Sequence, residues 1–368
     1  MENQRCKGMQ DLLPKDMLRF RYIEDSFRNC CLKYGYQEVR TPTLEHLHLF
    51  TAVGTLTPSM LSKVYSFLDW DGWSGERVVL RPDGTIPVAR LYINNLSEHE
   101  IVRLFYVTNI FAFEETGREN RERWQCGAEF LGGAKFAADV EIILLVKEVM
   151  RRLGLNRVEL RLSHAGLVKA LIKELKLSSG EEAKITSRVL DGDWQALTQA
   201  KSINPELDRL LSQLLSLKGK SSSFLQNVRA LSQQASPDFK SGLEDFINIT
   251  TLLDSLNCGY EIDITAIRGF EYYTGVCFWL SSDGEKIGGG GRYDNLVPLM
   301  SRRDIAACGF ALYVDPIMKL LSLEGEERSE SGILVKGEEL TPEIVKTCFA
   351  LAQSLRGAGY TVELGFTG

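Results

Sequence analysis

From Pro14 onward the apolar residues Met17, Phe20, Ile23, Phe27, Cys31 and Tyr34 recur at three- and four-residue steps. That spacing predicts an amphipathic helix, opened by proline and capped by Gly35. Tyr36 to Thr41 then reads as a short strand stopped by Pro42, which has no amide proton for a ladder. Arg77 to Leu80 and Arg103 to Glu114 are further strands, the second rich in β-branched and aromatic residues, with Trp124 to Leu131 as its antiparallel return. A helix is predicted from Asp139 to Leu153, with Val140, Ile143, Leu144 and Val146 to Met150 facing inward, and Val158 to Leu162 returns to strand. Between Leu167 and Leu256 every strong pattern is helical. Strands resume at Tyr260 to Ala266 and Tyr273 to Ser281, followed by the glycine run Gly288 to Gly291 and the apolar segment Ala306 to Leu312.

This order predicts an α+β fold, an antiparallel sheet core flanked by helices over residues 1–325 with a helical insertion at about 167–256. Residues 332–368 form a separate, short C-terminal β-α-β unit: Ile333 to Val335, a helix from Thr341 and Pro342 to Arg356, a turn at Gly357 to Gly359, and Val362 to Leu364. A unit of that size is too small to bury a core alone and is expected to dock on the main body or on a partner.

Composition adds exclusions. The 368 residues are 44% hydrophobic, as in an ordinary globular protein, with no apolar run long enough for a bilayer and no signal-like start, so a cytoplasmic protein is expected. Eight cysteines lie singly or as the pair Cys30 and Cys31, without metal-ligand spacing, which predicts reduced thiols and no metal. A net charge of −6 weighs against a long grip on a nucleic acid backbone and hence against tRNA as the main partner.

Several segments carry a resemblance. GMQDLLP (Gly8 to Pro14) with YGYQEVRTPTLE (Tyr34 to Glu45) resembles motif 1 of the class II histidyl-tRNA synthetases. LRPDGT (Leu80 to Thr85), FAFEE (Phe111 to Glu115) and RERWQCGAEFLG (Arg121 to Gly132) resemble motif 2. IRGFEYYTG (Ile267 to Gly275) and GGGRYD (Gly289 to Asp294) resemble the two signatures peculiar to those enzymes, and ACGFALYVDP (Ala307 to Pro316) sits where motif 3 belongs. Singly, each string reads as a turn, a strand end or a packed aromatic strand; their shared order is what makes the resemblance specific.

The resemblance implies a class II core and a pocket for free histidine. In it Asp83 and Thr85 with Gln125 hold the amino end, while Glu129 and Tyr273 meet the imidazole with Tyr272 behind. Alternation along a strand places Gln125, Gly127 and Glu129 on one face, and the missing side chain of Gly127 is expected to leave room for the ligand. The alternative reading of Glu129 is a surface salt bridge.

Activation of an amino acid also needs cations that stabilise charge on the phosphate oxygens of ATP. By the same resemblance the motif 2 arginine falls at Ala112 and the motif 3 arginine at Pro316, so both are absent, and Trp124 stands where histidine is usual. Arg118, Arg121 and Arg123 are the candidate substitutes. Arg268 matches the family's own catalytic arginine; a clamp on the carboxylate of bound histidine, or an ion pair with Glu271 or Asp263, are its other readings.

A kept histidine pocket, two missing cations, a helical insertion and a short C-terminal unit together are similar to the regulatory subunits of ATP phosphoribosyltransferase, synthetase paralogues in histidine biosynthesis. That likeness implies no catalysis and no cofactor, with histidine as effector, a homodimer through motif 1, and a hetero-oligomer with a short catalytic subunit. A histidine–tRNA ligase using ATP and magnesium, with Arg268 catalytic, is the alternative, and activation for another acceptor, or a binding module with no catalytic partner, a third. Histidine sits either in the inherited pocket or at a subunit interface.

Overall fold

A computed structural model of the chain describes residues 5–52, 61, 64–70, 75–112, 120–133, 135–190, 192–200, 214–215, 218–266, 273–321 and 332–366. The chain divides into two compact units, Met1–Leu321 and Ser322–Gly368.

The first unit opens with helix α1 (Pro14–Lys33), followed by Gly35 at φ +80°, a conformation that suits glycine just past a helix end. Strands β1 (Gln37–Glu38) and β2 (Leu44–His46), helix α2 (Leu47–Ala52), strands β3 (Ser66–Trp70) and β4 (Gly75–Leu80) and helix α3 (Thr85–Asn95) lead to a long hairpin of β5 (Val102–Phe111) and β6 (Glu122–Leu131). Helix α4 (Lys135–Arg152) and strand β7 (Glu159–His164) come next. The predicted helical stretch contains α5 (Ala165–Glu174), α6 (Ser179–Leu190), α7 (Gln195–Gln199), α8 (Ser222–Leu231) and α9 (Pro237–Ser255). Strands β8 (Glu261–Ile262), β9 (Val276–Ser282) and β10 (Glu285–Arg292), helix α10 (Leu296–Met300), strand β11 (Ala307–Tyr313) and helix α11 (Val314–Leu320) complete it. The second unit pairs β12 (Ile333–Gly337) in parallel with β13 (Val362–Phe366) across helix α12 (Pro342–Gly357), around Val335, Cys348, Ala352 and Val362.

The main sheet has eight strands in the order β1-β5-β6-β11-β10-β9-β7-β8, antiparallel except at its two edge pairs; β2-β4-β3 forms a smaller antiparallel sheet. One face of the main sheet carries Phe105, Cys126, Ala128, Phe130, Phe278 and Phe310 into the larger core under α1, α4 and the insertion helices. On the other face Leu104, Tyr106, Leu131 and Ala307 pack with residues of α3 and α10.

Two predicted strands are shorter than expected, and the glycine run, given no element in the sequence reading, lies within a strand. The strand at Tyr36 to Thr41 pairs over two residues only, because the buried guanidinium of Arg81 takes the carbonyls of Thr41 (2.8 Å) and Pro42 (2.9 Å). The strand at Tyr260 to Ala266 stops at Ile262, where the Asp263 carboxylate accepts the N–H of Thr265 at 3.0 Å and turns the chain into a short 3₁₀ segment. The glycine run is the centre of a strand: a Cβ on Gly290 would lie 2.1 Å from the carbonyl oxygen of Gly309 on β11.

Candidate functional site

The site is read from strand register, since residues directly opposite one another share a face. Glu129 on β6 lies between Leu104 on β5 and Gly309 on β11, and Gly309 is followed by Gly291 on β10. The next row holds Tyr106, Gly127, Ala311 and Gly289, and the one after it Thr108, Gln125 and Tyr313. Short side chains in the middle of these rows leave a shallow floor walled by longer ones.

Glu129 is 1% exposed and stands at the centre of this floor, which excludes the surface salt bridge. Its Oε1 accepts from the Tyr106 hydroxyl at 3.3 Å and its Oε2 from the Tyr293 hydroxyl, with the Thr85 hydroxyl also bonded to the carboxyl. Burial pushes its pKa up to about 8 despite these hydroxyl donors, and the neighbouring charge of Asp83 adds to the rise. Burial likewise pushes up the hydroxyls of Tyr106 and Tyr273, with the Glu129 and Asp83 charges contributing.

The space beside Gly127 is not left for a ligand. A Cβ there would fall 2.2 Å from the ring of Tyr106, and one on Gly84 would fall 2.3 Å from the same ring. The two glycines therefore clamp Tyr106 against the sheet and aim its hydroxyl at Glu129. Gly309 plays the parallel part on the other side, since a Cβ there would be 1.9 Å from Glu129 Oε2. Tyr106, Tyr293 and Gly309 escaped the sequence reading as site residues. Strand alternation from Gly127 and the tyrosine of GGGRYD were the available signals.

Asp83 has a second duty. Its Oδ1 accepts the N–H groups of Thr85 (2.5 Å) and Ile86 (3.1 Å), closing the start of α3, while Oδ2 has no partner among the described residues. Burial raises its pKa as well. Gln125 is 4% exposed, and its Oε1 is buried without a hydrogen-bond partner, an unusual state for a core amide and a free acceptor on the site face. Tyr273 packs between the two large cores, its carbonyl accepting from Lys169 Nζ at 2.7 Å. The structure thus gathers Asp83, Thr85, Glu129 and Tyr273, with Gln125 two rows along. Arg268 and Tyr272 lie outside the described residues.

Among the candidate substitute cations, Arg121 lays its chain over Gly8 and points Nη1 at the Tyr65 hydroxyl at 3.5 Å. Arg123 sits 5.9 Å from the Tyr313 ring centroid, and its charge acts on the buried carboxyl of Asp315. Arg118 lies outside the described residues. Trp124 is half-buried on the far face, packed against the larger core and edge-on to Phe20 at 5.1 Å between ring centroids.

Residues 8–317 match the histidyl-tRNA synthetase family. An ATP phosphoribosyltransferase regulatory subunit of Dehalococcoides mccartyi is 50% identical over 365 residues, spanning 99% of this chain and 88% of that one. A histidine–tRNA ligase of Methanocaldococcus jannaschii is 31% identical over 99% of this chain and 86% of its own. A solved Bacillus halodurans structure, described as an ATP phosphoribosyltransferase regulatory subunit/histidyl-tRNA synthetase, superposes with a TM-score of 0.85 at 25% identity, covering 100% of this chain and 93% of that one.

Proposed function

The chain belongs to the histidyl-tRNA synthetase family, and we propose that it acts as a regulatory subunit of ATP phosphoribosyltransferase that binds free histidine in the pocket around Glu129. The observation that carries this reading is the pairing of a buried, hydroxyl-lined carboxyl with the loss of the two motif cations. Glu129, Tyr106, Tyr293 and Thr85 offer polar partners to an imidazole, and a site built of such partners rejects near-isosteres that leave them unpaired. Ala112 and Pro316 offer nothing to a phosphate, and removing one preorganised group of that kind costs about 10² to 10³ in rate.

In this role the chain carries out no chemistry and needs no cofactor. It dimerises through α1 and the strand after it, joins a short catalytic subunit in a hetero-oligomer in the cytoplasm, and is required for that subunit's activity and for its inhibition by histidine. The coupling is set by the difference in histidine affinity between two states of the complex, typically about 1 to 3 kcal/mol. Among the described residues no helix is long and apolar enough to cross a membrane.

The test is reconstitution with a short catalytic subunit, assayed for phosphoribosyl transfer with and without histidine. Activity that depends on this chain, is inhibited by histidine, and loses that inhibition in Glu129→Ala supports the reading. Inhibition untouched by Glu129→Ala and Asp83→Ala moves histidine to a subunit interface. Histidine-dependent exchange of pyrophosphate into ATP by the chain alone overturns the regulatory role in favour of a histidine–tRNA ligase.

A further inference from the structure

The first helix of the insertion, α5, lies against the backbone that leads into β9, and three consecutive residues of that lead-in are held by it. The Ala165 N–H, one of the donors that a helix start leaves unpaired, donates to the carbonyl of Gly275 at 2.8 Å. Gly166 brings the helix onto the next carbonyl, since a Cβ there would fall 2.8 Å from the oxygen of Thr274. One turn further on, Lys169 Nζ donates to the carbonyl of Tyr273 at 2.7 Å. On its other side the same stretch is tied to β10. The Thr274 N–H donates to the Arg292 carbonyl at 2.7 Å, and the Thr274 hydroxyl accepts the N–H of Asp294 at 3.0 Å. Tyr273 is thus fixed at its main chain, while its side chain packs against both large cores, near enough to Asp83 and Glu129 for their charges to act on its hydroxyl.

Helix α5 is joined in turn to α9, the long helix at the other end of the insertion. His164 caps α5 by accepting the N–H of Leu167 on Nδ1 at 3.0 Å and meets Asp245 of α9 through Nε2 at 3.2 Å. At the far end of α5, Glu174 accepts the N–H of Ser236, the residue that caps α9, at 2.5 Å. Between these ties Gly242 lets α9 lie close, for a Cβ on it would already be 3.4 Å from Leu167 N. The two helices are therefore linked at both ends of α5.

We propose that Lys169 is a positioning residue of the Glu129 pocket: it fixes Tyr273 from the insertion, and through Tyr273 the insertion sets the affinity of the pocket for its ligand. A charged donor suits this task, because its bond to a half-buried carbonyl is stronger than that of a neutral one. That the ligand is histidine rests on the function proposed above; the hold on Tyr273 does not. Whatever shifts the insertion then shifts histidine affinity, and by linkage histidine shifts the insertion.

The test uses the full chain labelled with 3-fluorotyrosine, the Tyr273 fluorine resonance being assigned by its loss in Tyr273→Phe, together with calorimetric titration of histidine. Lys169→Met and Lys169→Gln remove the cation. Both are expected to move that resonance in the unliganded protein and to weaken histidine binding at least tenfold, with Lys169→Arg restoring both readouts. Lys173→Met, one turn along the same helix, removes a cation from an exposed pair with Asp238 and is expected to change neither. A Tyr273 resonance unmoved in both Lys169→Met and Lys169→Gln overturns the proposal, as does histidine bound by those variants as tightly as by the parent chain. A resonance that moves in a chain that binds no histidine upholds the hold on Tyr273 and overturns the histidine reading instead.

Discussion

In the proposed histidine site the affinity should fall about tenfold per pH unit above pH 8, because the carboxyl proposed to meet the imidazole is buried. Glu129 is 1% exposed, its pKa is pushed up to about 8, and it is faced by the hydroxyls of Tyr106, Tyr293 and Thr85 and by the charge of Asp83. In the proposed complex the imidazole shares one proton with it. Free imidazole titrates near about 6.5, so between about pH 6.5 and 8 the separated partners already hold that one proton, on Glu129, and affinity is flat. Above pH 8 the empty site is ionised and the proton must come from solvent; below about 6.5 both partners are protonated and one proton must leave. Affinity therefore declines on both sides of a plateau. Calorimetry in two buffers of different ionisation enthalpy, from pH 6 to 9, reads the proton number directly. The amino group of histidine titrates in the upper range too and adds to the slope, so the comparison is with Glu129→Gln. That variant should lose the Glu129 share of the upper slope. At pH 7.5 it should bind about 10- to 150-fold more weakly, since a hydrogen bond to a charged group contributes about 1.5 to 3 kcal/mol. Equal slopes in the two proteins above pH 8 would refute the reasoning.

The same raised pKa makes the unliganded protein lose stability as pH climbs from the unfolded value of about 4.3 towards about 8, by at most about 5 kcal/mol at about 1.36 kcal/mol per unit. Urea unfolding at pH 5 and 8 should show Glu129→Gln flattening that decline, and identical pH profiles would contradict it. Gly309→Ala puts a Cβ 1.9 Å from Glu129 Oε2 and 2.6 Å from the carbonyl of Ala128, so about 1 to 3 kcal/mol of destabilisation and more than a tenfold loss of histidine affinity are expected from denaturation and calorimetry. Arg292→Met strands the buried Asp139 carboxyl, whose partner it is at 2.9 Å, and should cost about 3 to 5 kcal/mol in urea unfolding. Adding Asp139→Asn should recover much of that loss.

What was legible in the sequence is what depends on local pattern. The three- and four-residue spacing from Met17 to Tyr34 gave α1 to within a residue of its ends, and alternation along β6 put Gln125, Gly127 and Glu129 on one face as expected. What escaped depends on contacts between distant segments. Nothing local reveals that Arg81 reaches back to Thr41 and Pro42 and cuts β1 to two residues. Gly127 could be read as missing a side chain, but only the pairing of β5 with β6 shows that Tyr106 takes the vacated space. The glycine run reads as a turn until β9 and β11 are placed on either side of it, close enough that a Cβ on Gly290 or Gly291 would strike a neighbouring carbonyl.

In the proposed role the electrostatics of the site bear on the choice of ligand. The groups that act on the Glu129 carboxyl are hydroxyls and another acid, and no cation is among its principal influences. Arg123, which shares the strand face with Gln125, lies 5.9 Å from the Tyr313 ring centroid, and its charge acts on Asp315. In the proposed site such a floor would suit an imidazole, which can share a proton with Glu129, better than a triphosphate, whose oxygens would meet no cation among the groups that act on Glu129. By the resemblance, Ala112 and Pro316 stand where two arginines are expected, and in the proposed role a nucleotide would lack those partners.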